Sequence, residues 1–193
     1  TVYTLREAHG VTGHIVPWNY PMQIIGRSVG AALAMGNCCV LKPAEEACLS
    51  ALMFAELARQ AGLPSGVLNV VPGLGAQAGA ALAAHGGINH LSFTGSVATG
   101  RLVQAAAAQN VVPVTLELGG KSPVIVCKDA DIDKAVPVAA MSVFANSGQI
   151  CIAGSRLFVA REIHDEFTRR VAEFAAGLKI GQGIDEEIGR AHV

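Results

Sequence analysis

Short apolar runs alternate along the first 118 residues with longer segments in which apolar residues recur three and four positions apart. The short runs predict buried strands and the longer segments predict helices. Five such alternations at intervals of about 25 residues are typical of a parallel sheet wound with helices on both faces. Because the runs are continuous and apolar, both faces of every strand are expected to be covered. The predicted strands are 11–18, 38–41, 67–71, 91–94 and 111–118, and the predicted helices are 22–35, 45–61, 76–84 and 96–109.

The pattern changes after Gly119 and Gly120, where we predict a domain boundary within residues 118–121. A strand at 124–126 and a helix from Asp131 follow, then a strand at 157–160 and a helix at 164–176. Asp131 is suited to cap its helix, and Gly177 is suited to end the last one. The fold class is therefore α/β. A doubly wound, Rossmann-like domain at 10–118 is followed by the start of a second α/β domain at 119–193, whose tail from residue 181 is expected to be a loop.

Composition narrows the classes of function. Hydrophobic residues make up 51% of the chain and charged residues 15%, which indicates either a large core or a surface that packs against further chain. A net charge of −1 gives no electrostatic basis for binding nucleic acid or an anionic membrane. The longest apolar run is too short to span a bilayer, and the N-terminus is not a signal peptide. Five cysteines without metal-ligand spacing predict free thiols, no metal site and a reducing, cytoplasmic location.

One cysteine, Cys151, lies between a predicted helix and a predicted strand, in a segment that contains Asn146 and Gly148. A thiol on such a loop can meet a substrate while a rigid frame holds it. Most free cysteines are instead small buried hydrophobes. The local sequence leaves both interpretations open.

Three further segments carry candidate chemistry at the ends of predicted strands. Ser96 can cap a helix whose N-terminus attracts phosphate, although an ordinary strand-to-helix turn has the same pattern. Lys42 and Glu45 follow a strand end, where ligands bind in parallel sheets, but a solvated surface pair explains them equally well. Glu117 interrupts an apolar strand. It is either a general base whose pKa is raised by burial or a carboxylate paired with Lys121.

Taken together, five motifs resemble those of the NAD(P)-dependent aldehyde dehydrogenase superfamily. They occur in the family's order across essentially the whole chain, which makes the resemblance specific. They are Pro17-Trp18-Asn19-Tyr20-Pro21, Lys42-Pro43-Ala44-Glu45, Phe93-Thr94-Gly95-Ser96, Leu116-Glu117-Leu118-Gly119-Gly120-Lys121-Ser122-Pro123 and Gly148-Gln149-Ile150-Cys151.

The resemblance implies oxidation of a small-molecule aldehyde to a carboxylic acid. Cys151 would be the nucleophile, and the Asn19 amide with the Cys151 N–H would hold the oxyanion. Glu117 would activate the water that releases the acid. Lys42 and Glu45 would contact the adenosine ribose. A carboxylate there disfavours a 2′-phosphate, so NAD is expected rather than NADP. Ser96 would contact the pyrophosphate, and the other cofactor contacts would be Pro17, Trp18, Thr94, Gly95 and Leu118.

The resemblance also implies a chain more than twice this length and a homo-oligomer, either a dimer or a tetramer. Thr1–His9 is similar to the end of an oligomerisation-arm strand. If the 193 residues were the whole polypeptide, we would expect poor NAD binding and little turnover. Apolar residues beside the nucleophile, Ile150 and Ile152, favour an apolar aldehyde. Two alternatives remain: a relative that forms acyl-CoA, against which Glu117 argues, and a non-catalytic remnant.

Overall fold

The computed structural model describes residues 1–184, and the chain divides into two compact units. The first is Thr1–Leu118, and the second begins at Gly119. The first unit contains a five-stranded sheet in the order β3-β2-β1-β4-β5, in which every pair is parallel. This confirms the predicted doubly wound α/β fold. The strands are β1 (Val11–Ile15), β2 (Cys38–Lys42), β3 (Leu68–Val70), β4 (His90–Gly95) and β5 (Val114–Leu118).

The first strand in sequence is the central strand of the sheet. β1 pairs with β2 on one side and with β4 on the other. The chain therefore adds strands outward in one direction and then crosses to the opposite side of β1. In open parallel sheets this point of reversal leaves a crevice at the carboxyl ends of the strands, where ligands bind.

The helices of the first unit follow the predicted segments with local irregularities. The predicted helix 22–35 is continuous but changes to π-helical geometry between Gly26 and Gly30. The helix after β4 begins and ends within one residue of the prediction. The bounds are α1 (Pro21–Ile25), a π-helix (Gly26–Gly30), α2 (Ala31–Ala34), a 3₁₀ turn (Glu45–Ala47), α3 (Cys48–Gln60), a π-helix (Gly75–Gly79), α4 (Ala80–Ala83) and α5 (Val97–Ala108).

Two hydrophobic clusters bury side chains of the sheet. One joins Leu91 and Phe93 of β4 to Val103 of α5. The other joins Leu41 of β2 to Val29 in the first helical segment. Each apolar cluster removes its side chains from water, which is the main stabilising term of such a fold.

The expectation of complete burial is wrong for the edge strand β5. Its residues alternate between half-buried and exposed, with Thr115 and Glu117 exposed. Within residues 1–184, β4 is the only strand that pairs with β5. β5 also starts at Val114 rather than at the predicted Val111, because Val111 has a φ of 56°, which is incompatible with an extended strand.

The second unit pairs two parallel strands with two helices. The strands are β6 (Pro123–Val126) and β7 (Arg156–Val159), and the helices are α6 (Ile132–Phe144) and α7 (His164–Ala176). Val126, Val136, Ala139 and Phe167 form their common core. The Asp131 side chain accepts a hydrogen bond from the Lys134 N–H, and Gly177 follows α7, so both predicted helix ends are confirmed.

The described residues near each end of the chain, 1–9 and 181–184, contain little regular structure. Residues 1–9 are exposed and form no strand, so the expected oligomerisation arm stays a prediction. Residues 181–184 contain neither helix nor strand. The remaining part of the predicted loop, 185–193, lies outside the described residues. Among the described helices, none has the length and apolarity needed to cross a bilayer.

Candidate active site

Most of the predicted site residues of the first unit lie where strands end. Pro17, Trp18 and Asn19 follow β1, Lys42 ends β2, and Ser96 follows β4. Thr94 and Gly95 are the last residues of β4, and Glu117 and Leu118 are the last residues of β5. In a parallel sheet these ends share one edge, so the topology gathers nine candidate residues from four strands beside the point of reversal.

Lys42 and Glu45 form an ion pair at this edge, in which the lysine is buried and the glutamate is exposed. The Lys42 side chain is only 3% exposed, and its Nζ lies 3.1 Å from Glu45 Oε2. The other carboxylate oxygen, Oε1, accepts a hydrogen bond from the Gly75 N–H. Backbone N–H donors, that of Gly75 included, together with Lys42, lower the pKa of Glu45. Because Lys42 is buried, the interpretation as a solvated surface pair is wrong.

The β4–α5 turn has the geometry of a capped helix. The Ser96 Oγ accepts a hydrogen bond from the Thr99 N–H at 3.1 Å, so Ser96 is the N-cap of α5, as predicted. Gly95 is needed for packing as well, because a Cβ there would lie 2.5 Å from the buried Phe93 ring. The first N–H groups of a twelve-residue helix thus face an exposed turn, an arrangement suited to an anionic group.

Glu117 is exposed, contrary to the expectation that this strand buries its carboxylate. About half of its side chain (53%) is accessible, and its Oε2 lies 3.9 Å from an Arg27 guanidinium nitrogen. Arg27 rather than Lys121 is therefore the charged partner that the described residues show. A pair this exposed contributes little stability, so the position of Glu117 at the strand end is of more interest than its ion pair.

Glu117 and Arg27 line a cavity of about 710 Å³ within the first unit. Its floor consists of polar side chains of β1, β4 and β5, among them His14 and His90. His14 is buried, and its Nε2 lies 2.9 Å from Thr12 Oγ1, whereas its Nδ1 has no partner within the described residues. Burial, aided by His90, lowers the pKa of His14 to about 4.

His14 and His90 were not among the candidate residues predicted from the sequence, so this polar face was missed. A signal was present in the central strand β1, where Thr12 and His14 are two positions apart. Such spacing places both side chains on one face of a strand.

Cys151 lies in the second unit, on the segment that joins α6 to β7. It is exposed, and all five cysteines are free, as predicted. Exposure rules out the interpretation of Cys151 as a small buried hydrophobe. Before it, Asn146, Ser147 and Gly148 all have positive φ angles, of 50°, 58° and 74°. A left-handed turn therefore separates the end of α6 from the cysteine.

The remaining candidates are partly accessible. Trp18 is 40% exposed, and Pro17 and Asn19 are half-buried on the segment between β1 and α1. Thr94, Gly95 and Leu118 are also half-buried. Asn19 and Glu117 belong to the first unit and Cys151 belongs to the second.

Comparison with known proteins identifies the family of this chain. A model of the aldehyde dehydrogenase family matches residues 1–190. The chain belongs to the aldehyde dehydrogenase family. Hydroxyisobutyraldehyde dehydrogenase of Mycolicibacterium austroafricanum is 50% identical over 183 residues, which are 95% of this chain and 36% of that protein.

Solved structures of aldehyde dehydrogenases share the fold. The NAD-dependent aldehyde dehydrogenase of Sinorhizobium meliloti is 44% identical, with a TM-score of 0.90 over 92% of this chain and 36% of that one. Betaine aldehyde dehydrogenase of Staphylococcus aureus in complex with NAD⁺ is 37% identical, with a TM-score of 0.91 over 94% of this chain and 36% of that one. The chain thus spans little more than a third of the length of these aldehyde dehydrogenases.

Proposed function

We propose that this chain carries the nucleophile and part of the cofactor site of an enzyme that oxidises an aldehyde to a carboxylic acid with NAD. The observation that carries the proposal is the exposed thiol of Cys151 on the α6–β7 loop of a chain that belongs to the aldehyde dehydrogenase family. The thiol is accessible, and regular elements on both sides fix the ends of its loop.

In the proposed reaction the Cys151 thiolate adds to the aldehyde carbon and forms a thiohemiacetal. The Asn19 side-chain amide and the Cys151 backbone N–H donate hydrogen bonds to the oxyanion. Bound NAD, which Lys42, Glu45 and Ser96 would hold, would supply the acceptor for the hydride that leaves this carbon, so that the thiohemiacetal becomes a thioester. Glu117 then takes a proton from a water molecule, which attacks the thioester carbonyl. The C–S bond breaks, the carboxylic acid leaves, and Cys151 becomes a thiolate again.

The residues at the sheet edge fit the adenosine ribose and the pyrophosphate of NAD. Lys42 can donate a hydrogen bond to a ribose hydroxyl, and the Glu45 carboxylate can accept one. Because the pKa of Glu45 is lowered, the group is anionic at neutral pH and repels a 2′-phosphate. The capped N-terminus of α5 at Ser96 suits the pyrophosphate. Contacts from Pro17, Trp18, Thr94, Gly95 and Leu118 complete the proposed set.

The proposed substrate is an apolar aldehyde. Ile152, one residue after the nucleophile, is 76% exposed, and Ile150 on the other side is half-buried. A charged substrate group beside these side chains would lose hydration without gaining a partner. We also propose a dimer or tetramer in a reducing compartment such as the cytoplasm, where five free thiols stay reduced.

The experiment that tests the function replaces Cys151 with alanine in the full-length protein. We expect aldehyde-dependent NADH formation to fall to the background rate, because no other group in the mechanism can form the thioester. NAD binding, followed by quenching of protein fluorescence, should persist. Cys127→Ala is the matched control, since Cys127 is also an exposed free cysteine of the second unit. Normal turnover by Cys151→Ala would refute the proposed function.

A further inference from the structure

We propose that Asn146 is a positioning residue for Cys151. Asn146 lies in a left-handed turn, and its side chain helps to close that turn and so fixes the loop that carries Cys151. The proposal rests on the function proposed above. Asn146 is 3% exposed although it carries a polar amide, and it lies five residues before the nucleophile. A buried amide costs free energy unless it is hydrogen-bonded, so its place on this loop requires an explanation.

The backbone at this point has an uncommon conformation. Asn146 (φ 50°, ψ 34°) and Ser147 (φ 58°, ψ 30°) both lie in the left-handed region, and Gly148 follows with φ 74°. The left-handed conformation is unfavourable for a residue with a Cβ, because the Cβ comes too close to the following carbonyl oxygen. Asparagine tolerates it better than most residues. Such a turn persists only when its surroundings hold it, and held conformations of this kind are concentrated at functional sites.

Two hydrogen bonds between Asn146 and Gln149 close the turn. The Gln149 N–H donates to the Asn146 carbonyl at 3.1 Å, and the Asn146 Nδ2 donates to the Gln149 carbonyl at 3.4 Å. One residue thus holds both the backbone N–H and the backbone carbonyl of Gln149. Since Gln149 precedes Cys151 by two positions, these hydrogen bonds fix the direction of the backbone as it approaches Cys151.

The other end of the loop is anchored to α6 by Gly154. Its N–H donates to the Ser142 carbonyl at 2.8 Å. A Cβ at Gly154 would lie 2.4 Å from Ser142 Oγ and 2.5 Å from Val124 Cγ2, so the chain passes α6 and β6 as closely as a backbone can. Cys151 therefore lies on a short segment whose two ends are both fixed.

The consequence concerns the acylation step. The Cys151 sulfur must approach the carbonyl carbon while the Cys151 N–H donates to the developing oxyanion, and both groups belong to this segment. A displacement of about 1 Å at a reacting group can lower a rate by about 100-fold. Loss of the Asn146 amide should therefore slow thiohemiacetal formation without affecting the cofactor-binding edge of the first unit.

The test compares three variants of the full-length protein. Asn146→Gly keeps the left-handed backbone and deletes the amide, because glycine adopts positive φ freely. Asn146→Asp keeps the size of the side chain but points a carboxylate at the Gln149 carbonyl. Ser147→Gly is the matched control: Ser147 is exposed and lies in the same turn, and the change relieves its left-handed strain. The measurements are pre-steady-state NADH formation, the NAD dissociation constant and the rate of Cys151 alkylation by iodoacetamide.

We expect both Asn146 variants to lose about 10-fold or more in the rate of NADH formation. Their NAD dissociation constants should stay within about twofold of wild type, and Ser147→Gly should react at the wild-type rate. Alkylation rates of the Asn146 variants should change as well, because the thiol loses its fixed position. Wild-type rates in both Asn146 variants would overturn the proposal. Loss of folding and of NAD binding in both would also overturn it, since Asn146 would then support the fold alone.

A failure of this inference is distinguishable from a failure of the proposed function. Cys151→Ala is measured in the same assay. If it still oxidises the aldehyde, the function assigned to Cys151 is wrong whatever the Asn146 variants do. If it is inactive while the Asn146 variants react normally, only the positioning role is wrong.

Discussion

His14 carries a pH-dependent contribution to stability within the central strand. Burial holds the pKa of His14 at about 4, whereas an unfolded histidine titrates near 6.5. The folded state therefore holds His14 neutral and the unfolded state binds a proton first. The contribution of neutral His14 to the free energy of unfolding is fully present above pH 6.5. It falls as the pH drops from 6.5 toward 4 and changes no further below about 4. The loss is on the order of 3 kcal/mol.

Urea unfolding at several pH values measures this contribution, and His14→Gln is the comparison because glutamine does not titrate. We expect the free energy of unfolding of wild type to fall more steeply between pH 6.5 and 4 than that of the variant. His90, which also lines the cavity and whose pKa is lowered by burial, is retained in both proteins. Parallel curves for the two proteins would contradict the assignment.

Glu45 controls the proposed choice between NAD and NADP. Its carboxylate is anionic because backbone N–H donors and Lys42 lower its pKa. Repulsion of a 2′-phosphate by one charge at contact distance is worth about 1 kcal/mol in a solvated site, or about fivefold in binding. We expect Glu45→Gln to raise the ratio of NADP to NAD affinity by about that factor. Glu46→Gln, at the exposed neighbouring residue, should leave the ratio unchanged, and equal ratios in all three proteins would contradict the role.

Regular elements were predicted where one local signal decides the structure. The helix 164–176 has the predicted bounds, and Ser96 and Asp131 cap the helices that follow them. The π-helical turn at Gly26–Gly30 and the left-handed turn from Asn146 have no such signal. They depend on backbone geometry that several residues set together. The strand order also escaped prediction, because the pairing of distant strands leaves no local pattern.

Ser96 caps α5, and the proposed contact with the pyrophosphate would be a second, separable role. Its Oγ accepts the Thr99 N–H, so Ser96→Ala should lower the free energy of unfolding by about 1 kcal/mol. Ser96→Asp should retain the cap, because aspartate is as good an N-cap as serine. Its carboxylate would repel the pyrophosphate proposed to bind there, so NAD affinity should fall while thermal stability stays near that of wild type. Unchanged NAD affinity in Ser96→Asp would exclude a phosphate site at this turn.

The whole chain combines two units whose candidate residues have different roles in the proposed reaction. The first unit holds the residues proposed to contact NAD, together with Asn19 and Glu117. The second unit holds Cys151. Their roles follow from the resemblance of the motifs, whereas the burial of Lys42, the exposure of Glu117 and the partner Arg27 follow only from the structure. A strand pattern could not show that Glu117 is exposed, because exposure of an edge strand depends on which neighbours pair with it.

The fate of the acyl group tests Glu117 and decides between water and coenzyme A as its acceptor. An exposed carboxylate at the end of β5 is hydrated and can orient a water molecule as a base. Glu117→Gln in the full-length protein should still form NADH in a first turnover and then accumulate a thioester on Cys151. Intact-protein mass spectrometry would show this as the added mass of the acyl group. The steady-state rate should fall by about 100-fold or more.

Wild type with coenzyme A present provides the other arm of this experiment. We expect free acid as the product, because Glu117 favours attack by water, and acyl-CoA as the product would instead identify the relative that transfers its acyl group. A wild-type steady-state rate in Glu117→Gln, without acyl-enzyme, would show that another group activates the water. Cys151 would keep its role in either case, because the acyl group must reside on the thiol before any acceptor removes it.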